Sequence, residues 1–226
     1  MGDTLIIFDC DGVLVDSEPL AARVLAEAIR DLGLAMTDAE AAEVFLGCSM
    51  EMVVEIVEAR LGRPVEARFA AAFHDQLHVE IQRDLAAIDG VRDAIQKIQL
   101  HPRIGGLCVA SNGKAETVEL SLDAVGLLSF FPGQLYTASM VERGKPDPDL
   151  FLHTAREMNF TPENCIVIED SEHGVNAAKA ARMRVFRYAP KAVSATIRDH
   201  STSVAGAKIF TNMNQLSGLI TEELQH

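Results

Sequence analysis

Short runs of uninterrupted apolar residues alternate along this chain with longer stretches whose apolar positions recur every three or four residues. Leu5-Ile6-Ile7-Phe8, Leu107-Cys108-Val109-Ala110, Cys165-Ile166-Val167-Ile168, Val185 to Tyr188 and Lys208 to Phe210 are the short runs. Continuous rather than alternating apolar character predicts parallel strands covered on both faces, and the helix-length segments between them predict the cover. From Ser17 to about Asp89 the strand signal disappears. Leu20, Val24, Leu25, Ala28, Ile29 and Leu32 follow helical spacing up to Gly33, a residue suited to the left-handed position past a helix end. Thr37-Asp38-Ala39-Glu40 has the form of a capping box, and Val53, Val54, Val57 and Leu61 continue a further helix to Gly62. The pattern predicts an α/β core built from residues 1–16 and 90–226, with a helical insertion at 17–89. Two short crossings join them, which allows a hinge.

Composition narrows the partners. Of the 226 residues 48% are apolar, ample for a core, while a formal charge of -13 argues against nucleic acid or an anionic membrane as a standing partner. Cys10, Cys48, Cys108 and Cys165 are scattered without metal-ligand spacing and read as reduced thiols, two of them inside strand-like runs. The chain enters its first strand without a basic and apolar leader, and no stretch reaches the roughly 18 apolar residues of a membrane span. A cytoplasmic protein is expected, as a monomer or weak homodimer.

The chemistry gathers where apolar runs stop. Leu5 to Phe8 ends in Asp9 and Asp11, and burying an unpaired carboxylate at a strand end is costly, so a cation is expected to hold the pair. Leu107 to Ala110 runs into Ser111-Asn112-Gly113, Ile166 to Ile168 runs into Glu169-Asp170, and Lys145 stands in Gly144-Lys145-Pro146 before Asp147-Pro148, a pattern for a helix start. In open parallel sheets ligands bind beyond the carboxyl ends of the strands. A carboxylate fixed there attacks phosphorus in line if a divalent cation and a lysine offset its repulsion from the phosphoryl oxygens. Asp9 takes the nucleophile's place, and Asp11, two residues on, that of general acid and base. Magnesium suits the hard oxygens of Asp9, the Asp11 carbonyl, Glu169 and Asp170. Ser111 with the N–H groups of Asn112 and Gly113 forms a phosphoryl pocket at a helix start, where Ser111 can also cap, and Lys145 bridges Asp9 and the phosphoryl group.

Four segments in this order resemble the four motifs of the haloacid dehalogenase superfamily. Asp9-Cys10-Asp11-Gly12-Val13-Leu14-Val15-Asp16-Ser17-Glu18 is similar to the first, Ala110-Ser111-Asn112-Gly113 to the second, Gly144-Lys145-Pro146-Asp147-Pro148 to the third, and Ile168-Glu169-Asp170-Ser171 through Gly174 to the fourth. The resemblance covers essentially the whole chain and implies a Rossmann-like core, magnesium and an aspartyl-phosphate intermediate. The insertion resembles the helical cap of the subgroup that includes beta-phosphoglucomutase and phosphatases of small phosphorylated sugars and sugar acids, such as 6-phosphogluconate phosphatase. A small phosphorylated metabolite is the implied substrate, and a cap that closes over it and reopens is the implied motion.

Departures from the pattern sharpen the reading. Members that cleave carbon–halogen bonds lack the second acid, here Asp11, and the lysine that phosphonate-cleaving members place in the cap has no counterpart in residues 17–89. The mutase's cap arginine and hinge histidine correspond to Met50 and Ala21, and the insertion carries 14 acids against 6 arginines, so hydrolysis is preferred to transfer onto a second site. Arg182 occupies a position where similar proteins often have glycine, which predicts strain or a different helix end. His74 and His78, one turn apart, lack the glutamate of a zinc-protease pattern and read as solvated or structural. Gly47-Cys48-Ser49-Met50 reads as a plain turn or a loop that faces substrate, and the family resemblance implies the second.

Overall fold

The computed structural model describes residues 2–45, 48–190 and 206–225. They fall into two compact units, one drawn from Met1–Val15 and Ala87–His226, the other from Asp16–Ala86.

In the first unit, β1 (Thr4–Phe8), β2 (Ile104–Ser111), β3 (Leu135–Thr137), β4 (Cys165–Glu169), β5 (Arg184–Tyr188) and β6 (Ala207–Phe210) form one sheet in the order β3-β2-β1-β4-β5-β6. Every neighbouring pair is parallel, so all the carboxyl ends lie along one edge. β1 and β4 are buried at every position, the burial that two-sided cover demands of a continuous apolar strand. The sequence runs fall within β1, β2, β4, β5 and β6. β3 escapes the hydrophobic pattern, being three residues at the sheet edge with only Thr137 fully buried.

The second unit consists of α1 (Ser17–Asp31), α2 (Asp38–Phe45), α3 (Met50–Leu61) and α4 (Phe69–Asp84). Val24 and Ile29 of α1, Phe45 of α2, Val53 and Val57 of α3 and Phe73 of α4 share its own hydrophobic core. The capping box forms as read: Glu40 Oε2 accepts from Thr37 N at 2.7 Å and Thr37 Oγ1 accepts from Glu40 N at 3.2 Å. Gly33 and Gly62 both take positive φ, 95° and 67°, just past their helices. In the loop read as Gly47 to Met50, Gly47 lies outside the described residues, and Ser49 Oγ accepts from Met52 N at 3.3 Å as the cap of α3.

The sheet is covered by α5 (Val91–Gln99), α6 (Ala115–Ala124), α7 (Asp149–Glu157), α8 (Glu172–Ala180) and α9 (Leu216–Leu224). Leu5 and Ile7 of β1 share a buried cluster with Leu150 and Phe151 of α7 and with Val175 and Ala178 of α8. α8 ends with Arg182 at φ 60°, and the Met183 N–H closes back on the Ala178 carbonyl at 2.9 Å. This is the six-to-one bond of a Schellman end, built with arginine at the position glycine usually takes and so costing about 1 kcal/mol relative to glycine. Among the described residues no helix is long and apolar enough to cross a membrane.

The two segments of chain that connect the units are hydrogen-bonded to each other. Val15 and Ala87 form an antiparallel bridge, Ile88 N donates to Leu14 O at 3.0 Å, and Asp16 N donates to Ala86 O at 2.9 Å.

All four cysteines are free, and Cys10, Cys108 and Cys165 are buried. Burial pushes the Cys10 and Cys108 thiols well up, helped at Cys10 by Asp11 and Asp9, and pushes Cys165 up to about 12. Raised values keep these thiols protonated and unreactive at mildly alkaline pH. Native protein treated with iodoacetamide at pH 8 will therefore be labelled at Cys48 alone, and the other three only in denaturant. Mass spectrometry that found Cys10 alkylated in the native state would contradict the burial described here.

Candidate active site

Parallel pairing brings the carboxyl ends of β1, β2 and β4 together, and the predicted site residues follow directly from those ends. Phe8 pairs with Val109 on one side and with Ile168 on the other. Asp9, the next residue, donates its N–H to the Ile168 carbonyl at 2.9 Å and so comes level with Glu169. Ser111 is the last residue of β2 and Glu169 the last of β4.

Lys145 arrives from the loop before α7. Its Nζ donates to Asp9 Oδ1 at 2.6 Å and to Glu169 Oε1 at 2.7 Å, with the three side chains 4%, 11% and 1% exposed. The ammonium also lies 5.0 Å from the Phe151 ring centroid, on the ring's electron-rich face. Two carboxylates hold Lys145 charged, its value raised despite a burial that works against the charge. At Asp9 burial dominates and pushes the carboxyl up, opposed by Lys145 and reinforced by Glu169 and Asp11.

Asn112 fixes the loop that delivers Lys145. Its Nδ2 donates to the Lys145 carbonyl and its Oδ1 accepts the Lys145 N–H, both at 2.9 Å. The side-chain amide thus substitutes for a neighbouring strand. A Cβ on Gly144 would lie 2.6 Å from Asn112 Oδ1, so glycine is needed for this approach. Sequence reasoning assigned Asn112 only its backbone N–H; the amide clamp joins residues 33 apart and leaves no local signal.

Glu169 uses both oxygens. Oε1 accepts from Lys145, while Oε2 accepts from the Asp170 N–H, the Ser171 N–H and the Ser171 hydroxyl, each at 2.9 Å. Ser171 Oγ in turn accepts the Gly174 N–H at 3.0 Å and caps α8. A Cβ on Gly174 would overlap the Glu169 carboxylate, and one on Gly12, which is at φ 76°, would overlap that of Asp170. These glycines are site residues that the motif reading did not single out individually.

The Asp11 side chain is exposed, and its Oδ2 lies 3.8 Å from where a Cβ on Gly113 would stand. It faces the turn in which Ser111 Oγ, itself buried, accepts the Gly113 N–H at 3.0 Å. Two expectations are corrected here. Ser111 does not cap a helix: α6 begins at Ala115 after Lys114, because the turn closed on Ser111 comes first. Likewise α7 starts at Asp149 after Pro148, one residue later than read, since the Asp147 N–H turns back to Gly144 O and its carboxylate pairs with Arg143 at 3.1 Å.

Asp9, Glu169 and Asp170 each offer an oxygen, and the three lie within 4.8 Å of one another. Hard carboxylate oxygens at this separation, with no Cβ on Gly12 to crowd Asp170, fit a small divalent cation. The arrangement joins a strand-end carboxylate, a buried ammonium, a hydroxyl with adjacent N–H donors and an exposed second acid.

Comparison with known proteins points the same way. The family model for haloacid dehalogenase-like hydrolases matches residues 4–182. The 6-phosphogluconate phosphatase of Escherichia coli K12 is 29% identical over 217 residues, 95% of this chain and 93% of that protein. Hexitol phosphatase B of the same strain is 33% identical over 185 residues, 79% and 80% of the two chains. A solved haloacid dehalogenase-like protein of Agrobacterium tumefaciens superposes with a TM-score of 0.80 at 32% identity, covering 99% of this chain and 100% of its own.

Two substitutions probe the construction. Gly174→Ala will lower stability by about 2 kcal/mol, the cost of displacing a buried hydrogen-bonded carboxylate. Gly218→Ala on α9, where a Cβ meets nothing within 4 Å, will be neutral or stabilise by up to about 1 kcal/mol. Urea denaturation of the pair gives both values, and equal shifts would refute the packing. Lys145→Met leaves Asp9 and Glu169 buried without a cation and will cost about 3–5 kcal/mol at neutral pH. A carboxyl raised in the folded state binds its proton more tightly there, so stability rises as pH falls through its raised value. The Lys145→Met deficit will therefore shrink toward acid pH, and a pH-independent deficit in urea melts would count against the geometry.

Proposed function

The chain belongs to the haloacid dehalogenase-like hydrolase family, and on that footing we propose that it is a magnesium-dependent phosphatase of a small phosphorylated metabolite, a sugar or sugar-acid phosphate. The observation that carries this reading is Lys145 buried between Asp9 and Glu169 at the carboxyl edge of the sheet, with Asp170 beside them. The names of the relatives support a phosphorylated sugar or sugar acid.

In this reading Asp9 attacks the phosphorus, the bond to the substrate oxygen breaks, and an aspartyl phosphate forms. Asp11 gives its proton to the departing alkoxide, then takes one from the water that attacks the aspartyl phosphate, releasing inorganic phosphate and regenerating Asp9. Lys145 keeps its proton throughout and offsets the charge between Asp9 and the phosphoryl oxygens, which the Ser111 hydroxyl and the Asn112 N–H receive, joined by the Gly113 N–H once it exchanges its bond to Ser111 Oγ. Asp9, Asp170 and the Asp11 carbonyl would hold Mg2+, which when bound supplies charge neutralisation for the approaching anion. Glu169 belongs to the same anionic group, but its hydrogen bonds assign it first to holding Lys145 and the Asp170 N–H.

The alternative is a phosphosugar mutase, sharing the first half-reaction. Hydrolysis is favoured because five of the six arginines of the helical unit already have partners within it. Arg23 pairs with Glu80 and Asp84, Arg30 with Asp38, Arg68 with Glu66, and Arg83 with Glu80, while Arg63 donates to the Leu32 carbonyl.

Purified enzyme with Mg2+ will release phosphate from hexose phosphates and sugar-acid phosphates, ranked by kcat/KM, and Asp9→Asn will reduce that release by about 10³-fold or more. Equal rates in the two proteins would remove Asp9 from its role. Isomer accumulating from a hexose 1-phosphate and a bisphosphate activator, without inorganic phosphate, would establish the mutase instead.

A further inference from the structure

Arg187 is absent from every motif named above, yet it meets the site. The β4–β5 register sets it opposite Glu169, the last residue of β4 and the neighbour of Asp170. From there its Nε donates to the Asp170 carbonyl at 3.0 Å. The same residue's N–H is held by Glu169 Oε2 at 2.9 Å. Asp170 is therefore gripped on both sides of its main chain, by a carboxylate at the nitrogen and by a guanidinium at the carbonyl, while Gly12 leaves room for its side chain. Two side chains, one from β4 and one from β5, thus reach the main chain of the residue just past the strand end.

The grip also has a chemical sense. A planar guanidinium donates along a fixed direction and keeps its charge at any working pH. Groups one layer behind a metal ligand set its orientation, and their loss typically weakens metal binding by about 10-fold to 100-fold. We propose that Arg187 is a positioning residue for the divalent cation, fixing the Asp170 main chain through the Nε–carbonyl hydrogen bond so that the carboxylate is presented in the geometry the ion requires. The inference rests on the reading of Asp170 as a metal ligand.

Two effects of Arg187 oppose each other and can be told apart. Its positive charge disfavours a nearby cation, so if charge dominated, removing it would tighten binding. If the hydrogen bond dominates, removing the donor loosens binding, and a neutral side chain that still donates preserves it. Mn2+ binding to the full chain without substrate, followed by electron paramagnetic resonance, separates these cases, with thermal unfolding in chelator as the check on folding. Arg187→Met will weaken Mn2+ by about 10-fold or more, and Arg187→Gln, which retains an N–H donor, will stay within about 3-fold of the parent. With Arg187→Met the Mg2+ concentration for half-maximal phosphate release will rise by a similar factor, with activity recovered at high Mg2+.

Parent-like or tighter Mn2+ binding by Arg187→Met would overturn the proposal. So would an Arg187→Gln variant that loses about 10-fold, a result that stands even if the Met variant fails to fold. Asp170→Asn is measured alongside. If it binds Mn2+ as the parent does, or if the parent binds none, the assignment of Asp170 as a ligand fails, which is a different result from a failure at Arg187.

Discussion

A buried ammonium between two buried carboxylates is the constraint around which this molecule is organised. Lys145, Asp9 and Glu169 come from separate segments, and none of the three charges is tolerable in a dry interior without the others. With both carboxylates ionised the triad has one net negative charge, and that residual favours a further cation at the same edge. The arrangement is costly to fold around and keeps its charges ready, so little reorganisation is needed when a phosphoryl group arrives.

Much of the precision comes from backbone and from missing atoms. Asn112 clamps the Lys145 loop as a strand would, Ser171 and the Asp170 N–H hold Glu169, and Gly12, Gly144 and Gly174 permit approaches that a methyl group would block. Each acts through a neighbour, by fixing a carboxylate or a loop. Arg187 extends the same principle from the adjoining strand.

The legible part of this structure was what local pattern controls. β1 and β4 stand out as apolar runs because burial on both faces disfavours polar positions, and the start of α2 and the end of α3 are written in Thr37, Glu40 and Gly62. The four motifs in order were enough to identify the family, and Asp9, Lys145 and Glu169 proved to touch. What stayed hidden depends on partners distant in sequence. β3 is defined by pairing with β2 and not by its own composition, and the start of α7 was displaced by Arg143 competing for Asp147. Arg187 looks like any strand-edge arginine until register sets it beside Glu169.

The paired crossings at Val15 and Ala87 have an evolutionary meaning. Because the insertion leaves and re-enters the core through adjacent, hydrogen-bonded backbone, its two ends present the same short gap whatever lies between them. Closure entropy grows only slowly with the length of an intervening segment, so this seam tolerates a longer, shorter or wholly different cassette. Segments of different length can thereby be accommodated at this seam without disturbing the strand ends that carry Asp9, Ser111 and Glu169.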